Sequence, residues 1–160
     1  KRARTDIKDG NEWEKFWLRK LNERVSAPLT KTDSLLIAAD NNRATGKLTD
    51  AARDYSTLTS AQGVNYSDDI KTQINQGLGQ LNYKQKDYNK AIEYFKLNTS
   101  LNPQNEKWLV PEAYLQIGRC YLRLGNRSEA QKYFDKALDI DYDYDFKDAM
   151  DGKIKNELSK

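Results

Sequence analysis

Residues 111–141, PEAYLQIGRCYLRLGNRSEAQKYFDKALDID, decide how the rest of the chain is read. Ala113, Tyr114, Ile117, Gly118, Tyr121 and Leu122 precede a break at Gly125-Asn126, and Ala130, Tyr133, Phe134, Ala137, Leu138 and Ile140 follow it. On both sides the apolar residues recur at three- and four-residue steps, as one buried face of an α-helix requires. The stretch is therefore a helical hairpin. A lone hairpin can bury only one face, so it needs similar neighbours to stack against.

Two such neighbours lie upstream. Ile70, Ile74, Leu78, Gly79 and Leu81 lead to a turn at Lys86-Asp87, and Tyr88, Ala91, Ile92, Phe95 and Leu101 continue to Pro103. Before them, Thr32 or Asp33 can cap a helix carrying Leu35, Leu36, Ala38 and Ala39 that breaks at Thr45-Gly46. Its companion carries Leu48, Ala51, Ala52, Tyr55 and Leu58. Ala39 then stands where Gly118 does, Gly46 where Gly125 does, Ala51 where Ala130 does, and Tyr55 where Phe134 does. Ser60 to Asp69 reads as a connecting loop with Ser67 as a cap.

Ile117-Gly118, Tyr121, Gly125, Ala130, Phe134, Ala137 and Leu138 resemble the tetratricopeptide repeat, a set of side-chain sizes at fixed offsets within about 34 residues. The run from Lys86 to Phe95 is very close to that consensus, and Pro103 falls at its terminating proline. Gly118 and Ala130 are expected to mark the crossing of two helices, with Tyr121 and Phe134 filling the space between. Ala39 to Gly79 spans 40 residues and Gly79 to Gly118 spans 39, so each connection is longer than the usual period by a few loop residues. In the second connection, Trp108 is expected to extend the next helix backwards and pack on the preceding hairpin.

The resemblance implies an all-α solenoid, a right-handed superhelix of antiparallel helix pairs. Three repeats are expected over 32–144, at about 32–65, 72–105 and 111–144. A basic segment with an amphipathic helix (1–31) precedes them and a capping helix (145–160) follows.

Composition sets the outer bounds. The chain has 160 residues, 38% hydrophobic, and a formal net charge of +3, which suits one ordinary water-facing domain. No run approaches a membrane span and no signal-peptide core is visible. Because it starts at Lys1 and not Met, the chain is expected to be a fragment or a processed form. Histidine is absent, which removes His-based acid–base catalysis, Ser-His and Cys-His nucleophiles and nearly all zinc or copper sites. Cys120 alone cannot form an internal disulfide and is expected to be inert packing.

Both flanks invite sharper readings. Lys1 to Lys31 holds nine basic and five acidic side chains, but Lys1, Arg2 and Arg4 are not continued by a basic stripe. Trp13, Phe16, Trp17, Leu21 and Val25 share a helix face, expected to cover the open first face of the stack; a docking surface is the alternative. At the other end, Asp139, Asp141, Asp143 and Asp145 alternate in a way that suggests a calcium loop. Neither register supplies the required glycine and glutamate, so a solvated helix junction is expected instead. Phe146, Met150, Ile154 and Leu158 then follow at four-residue steps as a terminal cap.

In the resembled family the first helix of each hairpin lines a concave groove for an extended peptide or a partner helix. Carried over place by place, the groove would show Leu36, Ile37, Asp40 and Arg43, then Gln73, Gln76, Gly77, Gln80, Tyr83 and Lys84. The third repeat would add Glu112, Leu115, Gln116, Arg119, Leu122 and Arg123. Guanidinium forks suit carboxylates, amides suit backbone, and Tyr83 offers a rigid packing surface. Gly77 is expected to open the groove floor to a close-lying backbone. Relatives that clamp the C-terminal carboxylate of heat-shock chaperones use Lys, Asn and Arg where this chain has Leu36, Asp40, Gly77, Glu112 and Gln116, so that ligand is not expected.

The expected function is a non-catalytic module binding a peptide or partner protein. The alternatives are a structural subunit that self-associates through Trp13 and Trp17, or an accessory domain of a larger membrane-anchored protein. No phosphate loop, nucleophile elbow, metal-spaced cluster or basic-aromatic stripe is present, so no catalytic residue, cofactor, metal or nucleic-acid partner is expected. Paired carboxylates such as Asp68-Asp69 fall on expected loops with no partner base.

Overall fold

The computed structural model describes residues 11–159, apart from the side chain of Arg24, so the expectation for Lys1, Arg2 and Arg4 lies outside the described residues. Those residues form eight α-helices and no strand: α1 (Glu12–Ser26), α2 (Lys31–Ala44), α3 (Leu48–Thr59), α4 (Asp68–Lys84), α5 (Tyr88–Asn98), α6 (Leu109–Arg123), α7 (Arg127–Leu138) and α8 (Lys147–Leu158).

Local chemistry sets most of the boundaries. Asn11 with Glu14 and Thr30 with Asp33 form reciprocal caps at the starts of α1 and α2, satisfying amides that have no partner within the helix. Thr30, not Thr32 or Asp33, is thus the capping residue of α2. Ser67, Asp87 and Asn126 accept the amide three residues on at the starts of α4, α5 and α7.

The turn inside each pair is the same object three times. Gly46, Lys86 and Gly125 all have positive φ, near 82°, 65° and 76°. Their amides return to the carbonyls of Arg43, Tyr83 and Leu122, and the next residue bonds back to Asn42, Asn82 and Tyr121. This left-handed helix ending satisfies the last carbonyls and reverses the chain. Lys86 holds a conformation that glycine adopts without strain at the other two sites.

Helices α2 and α3, α4 and α5, and α6 and α7 pair through these turns, and each outer helix then packs on the next pair. Across pairs α2 meets α4, α4 meets α6, and α6 meets α8, whereas α3, α5 and α7 do not meet one another. A stack whose first helices touch and whose second helices splay must curve toward the first. Its concave wall is therefore α2, α4, α6 and α8.

Glycines set how closely the pairs close. A Cβ on Gly79 would overlap the ring of Phe95, and one on Gly118 the ring of Phe134. Phe95 and Phe134 are fully buried. In the first pair Ala39 replaces the glycine, and the ring of Tyr55 reaches Gly77 of α4 instead. Gly77 therefore makes room for the chain's own Tyr55 and not for a ligand backbone, which corrects the expectation at that residue.

The last helix caps the stack. Met150 and Ile154 are 2% and 0% exposed and join Leu115, Phe134 and Ala137 in one cluster. Phe146, first in the same stripe, has φ 66° and turns away toward Trp13, Phe16 and Trp108.

Helix α1 departs from expectation. Trp13 and Trp17 are 60% and 57% exposed, and Leu21 and Val25 are also open, so the stripe is not core and does not cover the first pair. Phe16 of that stripe and the charged residues beside it decide the position of α1. Phe16 packs on Phe146 with ring centres 5.1 Å apart, Arg19 pairs with Asp145, and Lys20 pairs with Glu106. All three anchors lie on the connections before α6 and after α7, which pulls α1 across the concave side.

Three smaller expectations are corrected by the same connections. Trp108 stands at the start of α6, packs with the cluster of the last pair and Phe146, and donates to Glu106 at 3.0 Å, where packing on the preceding hairpin was expected. Asp68 and Asp69 lie in the first turn of α4 and hold the later connection by accepting from the amides of Asn102, Asn105 and Glu106. Asp145 is an ion-pair partner of α1 and not simply a solvated carboxylate.

Candidate partner-binding groove

Because α2, α4 and α6 present their inward faces to one concavity, residues distant in sequence come together there. Lys84 donates to the carbonyl of Arg43 at 2.8 Å, tying α4 to α2. Arg123 Nε donates to the hydroxyl of Tyr83 at 3.1 Å, tying α6 to α4. Arg119 pairs with Glu157 at 3.0 Å, tying α6 to α8.

Two clefts open along this wall. The first, about 430 Å³, lies between the inner helices and α1. It brings together Asp40, Arg43, Gln73, Gln76, Gly77 and Gln80 from the wall and Phe16, Trp17, Lys20 and Leu21 from α1, with Glu106, Trp108 and Leu109 beside them. The second, about 450 Å³, is lined by Tyr83, Gln116, Arg119, Leu122, Arg123 and Glu157. Lys84 lines neither.

The electrostatics differ from what a row of free guanidinium forks would give. Arg43 pairs with Asp40 at 3.1 Å and donates to Tyr55, whose hydroxyl donates to Asp40 at 2.6 Å. Burial, with Asp40 beside it, raises the Tyr55 phenol above its ordinary range, so it stays a neutral donor. Arg119 is likewise committed to Glu157, and Arg123 to Tyr83. Arg119 and Arg123 thus cross-link the wall, and Arg43 ties α2 to its own pair-mate α3.

Three residues expected on the groove surface lie beneath it. Leu36 and Leu115 are buried core residues. Glu112 is also buried, bonded to Gln116 at 2.6 Å, and burial raises its carboxyl above the usual range despite that bond. They point inward because the inner helices are packed on two sides, by their own partner and by the next pair.

Residues that sequence reasoning did not assign to the groove complete it. Phe16, Trp17 and Leu21 form the far side of the first cleft and Glu157 the edge of the second. Their helical stripes were visible, but the neighbours they face are set by contacts far away in sequence.

Burial pushes the Cys120 thiol up to about 12, which keeps it inert at neutral pH. Among the described residues no group of three or more Cys, Asp or Glu is arranged to hold a metal ion, and no helix is long and apolar enough to cross a membrane.

The family model of the tetratricopeptide repeat matches residues 72–143, which run from α4 to the connection before α8. No curated protein matches the chain. Repeats of this kind are protein-interaction modules in general, typically non-catalytic. Residues 72–143 are thus the part of the chain that the tetratricopeptide repeat model matches, within an all-helical paired architecture of the kind such repeats build.

Proposed function

We propose that this protein is a non-catalytic binding module that holds an extended segment of a partner protein along the concave wall of α2, α4 and α6. The observation that carries this reading is the pair of clefts on that wall, which together engage Asp40, Arg43, Gln76, Gln80, Tyr83, Gln116, Arg119 and Arg123. Clefts of this size accept several side chains of a bound peptide. Lys84 acts beside them by holding α4 against α2.

Because the arginines are already bonded, a partner that engages Arg119 and Arg123 exchanges bonds within the wall for bonds of its own, and those bonds set which partner is held. Retention of a partner from native extract, compared between the protein and a Tyr83→Phe, Arg119→Ala, Arg123→Ala variant, tests this. The expected result is at least a tenfold loss on the roughly 1.4 kcal/mol per decade scale, with an unchanged helical circular dichroism spectrum. Equal retention by both proteins sinks the groove reading.

A second reading, self-association through α1, is favoured by the exposure of Trp13, Trp17, Leu21 and Val25 along one stripe. Light scattering across a hundredfold concentration range separates the two. Mass that rises with concentration and falls back in a Trp13→Ala, Trp17→Ala variant supports self-association; a constant monomer mass removes it.

A further inference from the structure

We infer that the cleft between α1 and the inner wall takes an uncharged, extended peptide segment of the partner. One of its peptide units is read by the Gln76 carboxamide, and one bulky apolar side chain lies against Trp17 and Trp108. This deepens the groove reading and rests on it.

The inference begins with Gln76. Its side chain is only 6% exposed and lines the cleft, yet neither Oε1 nor Nε2 has a hydrogen-bond partner. Buried polar groups are nearly always bonded, because leaving them unpaired forfeits their hydration with nothing in return. A carboxamide offers one acceptor and one donor side by side, the complement of the donor and acceptor of a peptide unit. An extended backbone running past Gln76 satisfies both atoms at once.

The charges around the cleft argue for a neutral occupant. Lys20 pairs with Glu106, and Arg43 pairs with Asp40. Each charged side chain lining the cleft therefore has its counter-charge within the protein. A charged ligand would have to break one of these pairs or lie against Trp17, Leu21 and Trp108 with no counter-charge offered to it. The neutral amide of Gln76 is the buried polar group of the lining left without a bond.

The far wall supplies the apolar contact. Trp17 remains more than half exposed although it faces the cleft, and Leu21 beside it is equally open. Trp108, which also lines the cleft, is held by its bond to Glu106. A volume of about 430 Å³ matches a segment of two or three residues.

The test uses capped tripeptides on the whole chain: acetyl-Ala-Phe-Ala-amide, with the central residue changed to Asp or Lys in two further probes. Binding is followed by the side-chain amide resonances of Gln76 and by tryptophan fluorescence. The expected result is that the Phe probe shifts the Gln76 resonances and saturates, with the Asp and Lys probes at least fivefold weaker. Gln76→Leu and, separately, Trp17→Ala each weaken the Phe probe at least fivefold. Trp17 is exposed, so that variant keeps the test valid if Gln76→Leu melts early. Unmoved Gln76 resonances, equal binding of a charged probe, or full binding by Trp17→Ala would overturn the inference. Loss of partner retention on changing Arg119 and Arg123 would still stand in that case, and the groove reading with it. Conversely, saturable Phe-probe binding beside unaltered partner retention would remove the groove reading and leave the cleft assignment.

Discussion

Helices α1 and α8 flank the same stack with nearly the same apolar spacing and do opposite things. In α8, Met150 and Ile154 lie four residues apart and are sealed against Ala137 and Phe134. In α1, Trp13 and Trp17 have the same spacing and stand more than half open. The difference is in what the rest of the surface offers. Ala137 leaves a shallow place on α7 for Ile154 and Met150, so apolar burial positions α8. On α1, Arg19 and Lys20 find Asp145 and Glu106, so ion pairs and the ring of Phe146 position the helix and its stripe faces a cleft. A four-residue stripe therefore fixes that a helix is amphipathic without fixing which face docks.

The largest effect expected from this contrast is at Ile154. Ile154→Ala removes a fully buried side chain from the terminal cluster and costs about 2–5 kcal/mol, through lost transfer energy and the cavity left behind. Chemical denaturation is the measurement. A loss below about 1 kcal/mol would mean that α8 is no cap and that the comparison with α1 is void.

Glycines give a second contrast, inside the stack and at its edge. Alanine ordinarily stabilises a helix by up to about 1 kcal/mol over glycine. In Gly118→Ala the new methyl group overlaps the buried ring of Phe134, and overpacking of that kind costs about 1–3 kcal/mol, so the net change is a loss. In Gly152→Ala of α8 the new methyl group meets open space, and the helix gains up to about 1 kcal/mol. Opposite signs in thermal melts support the packing described; a gain at both sites would break it.

Glu112 tests the joint between the inner wall and α8. Its folded carboxyl titrates above the ordinary range because it is buried, so its contribution to stability is fully present below that range and is lost as pH rises through the folded value. At neutral pH, Glu112→Gln removes a carboxyl whose ionisation burial opposes, while its amide oxygen still accepts from Gln116. Tm at pH 7 is expected to rise by about 2–4 °C, and the difference to shrink as the pH falls into the glutamate range. A difference that grows on acidification would place the carboxyl in a charge-stabilising site.

The repeat architecture was legible because its determinants are local. Gly125-Asn126, Lys86-Asp87 and Gly46 each sit within a few residues of the helices they end, and the tetratricopeptide pattern around Gly118 and Phe134 lies within one hairpin. What stayed hidden depends on distant partners. Glu106 is 86 residues from Lys20, and Asp145 is 126 from Arg19. Gly77 was misread for the same reason: the ring that needs its missing side chain belongs to Tyr55, in the preceding pair. Spacing could place Arg43, Arg119 and Arg123 on inner helices, but their bonds to Asp40, Glu157 and Tyr83 come from the fold.

The smallest expected effect sharpens the comparison most. Trp17 contacts Phe16 edge to face at 5.5 Å, yet more than half of it is open to solvent, so Trp17→Ala is expected to change global stability by no more than about 0.5 kcal/mol. A tryptophan on a true capping helix would cost several times that, about 3–5 kcal/mol when fully buried. The same substitution removes one of the three apolar side chains, beside Phe16 and Leu21, that α1 offers the first cleft. A residue kept for packing loses stability and ligand together, whereas one held at the mouth of a cleft loses the ligand alone. Denaturation midpoints and Phe-probe affinities measured on this one variant therefore decide which kind of helix α1 is.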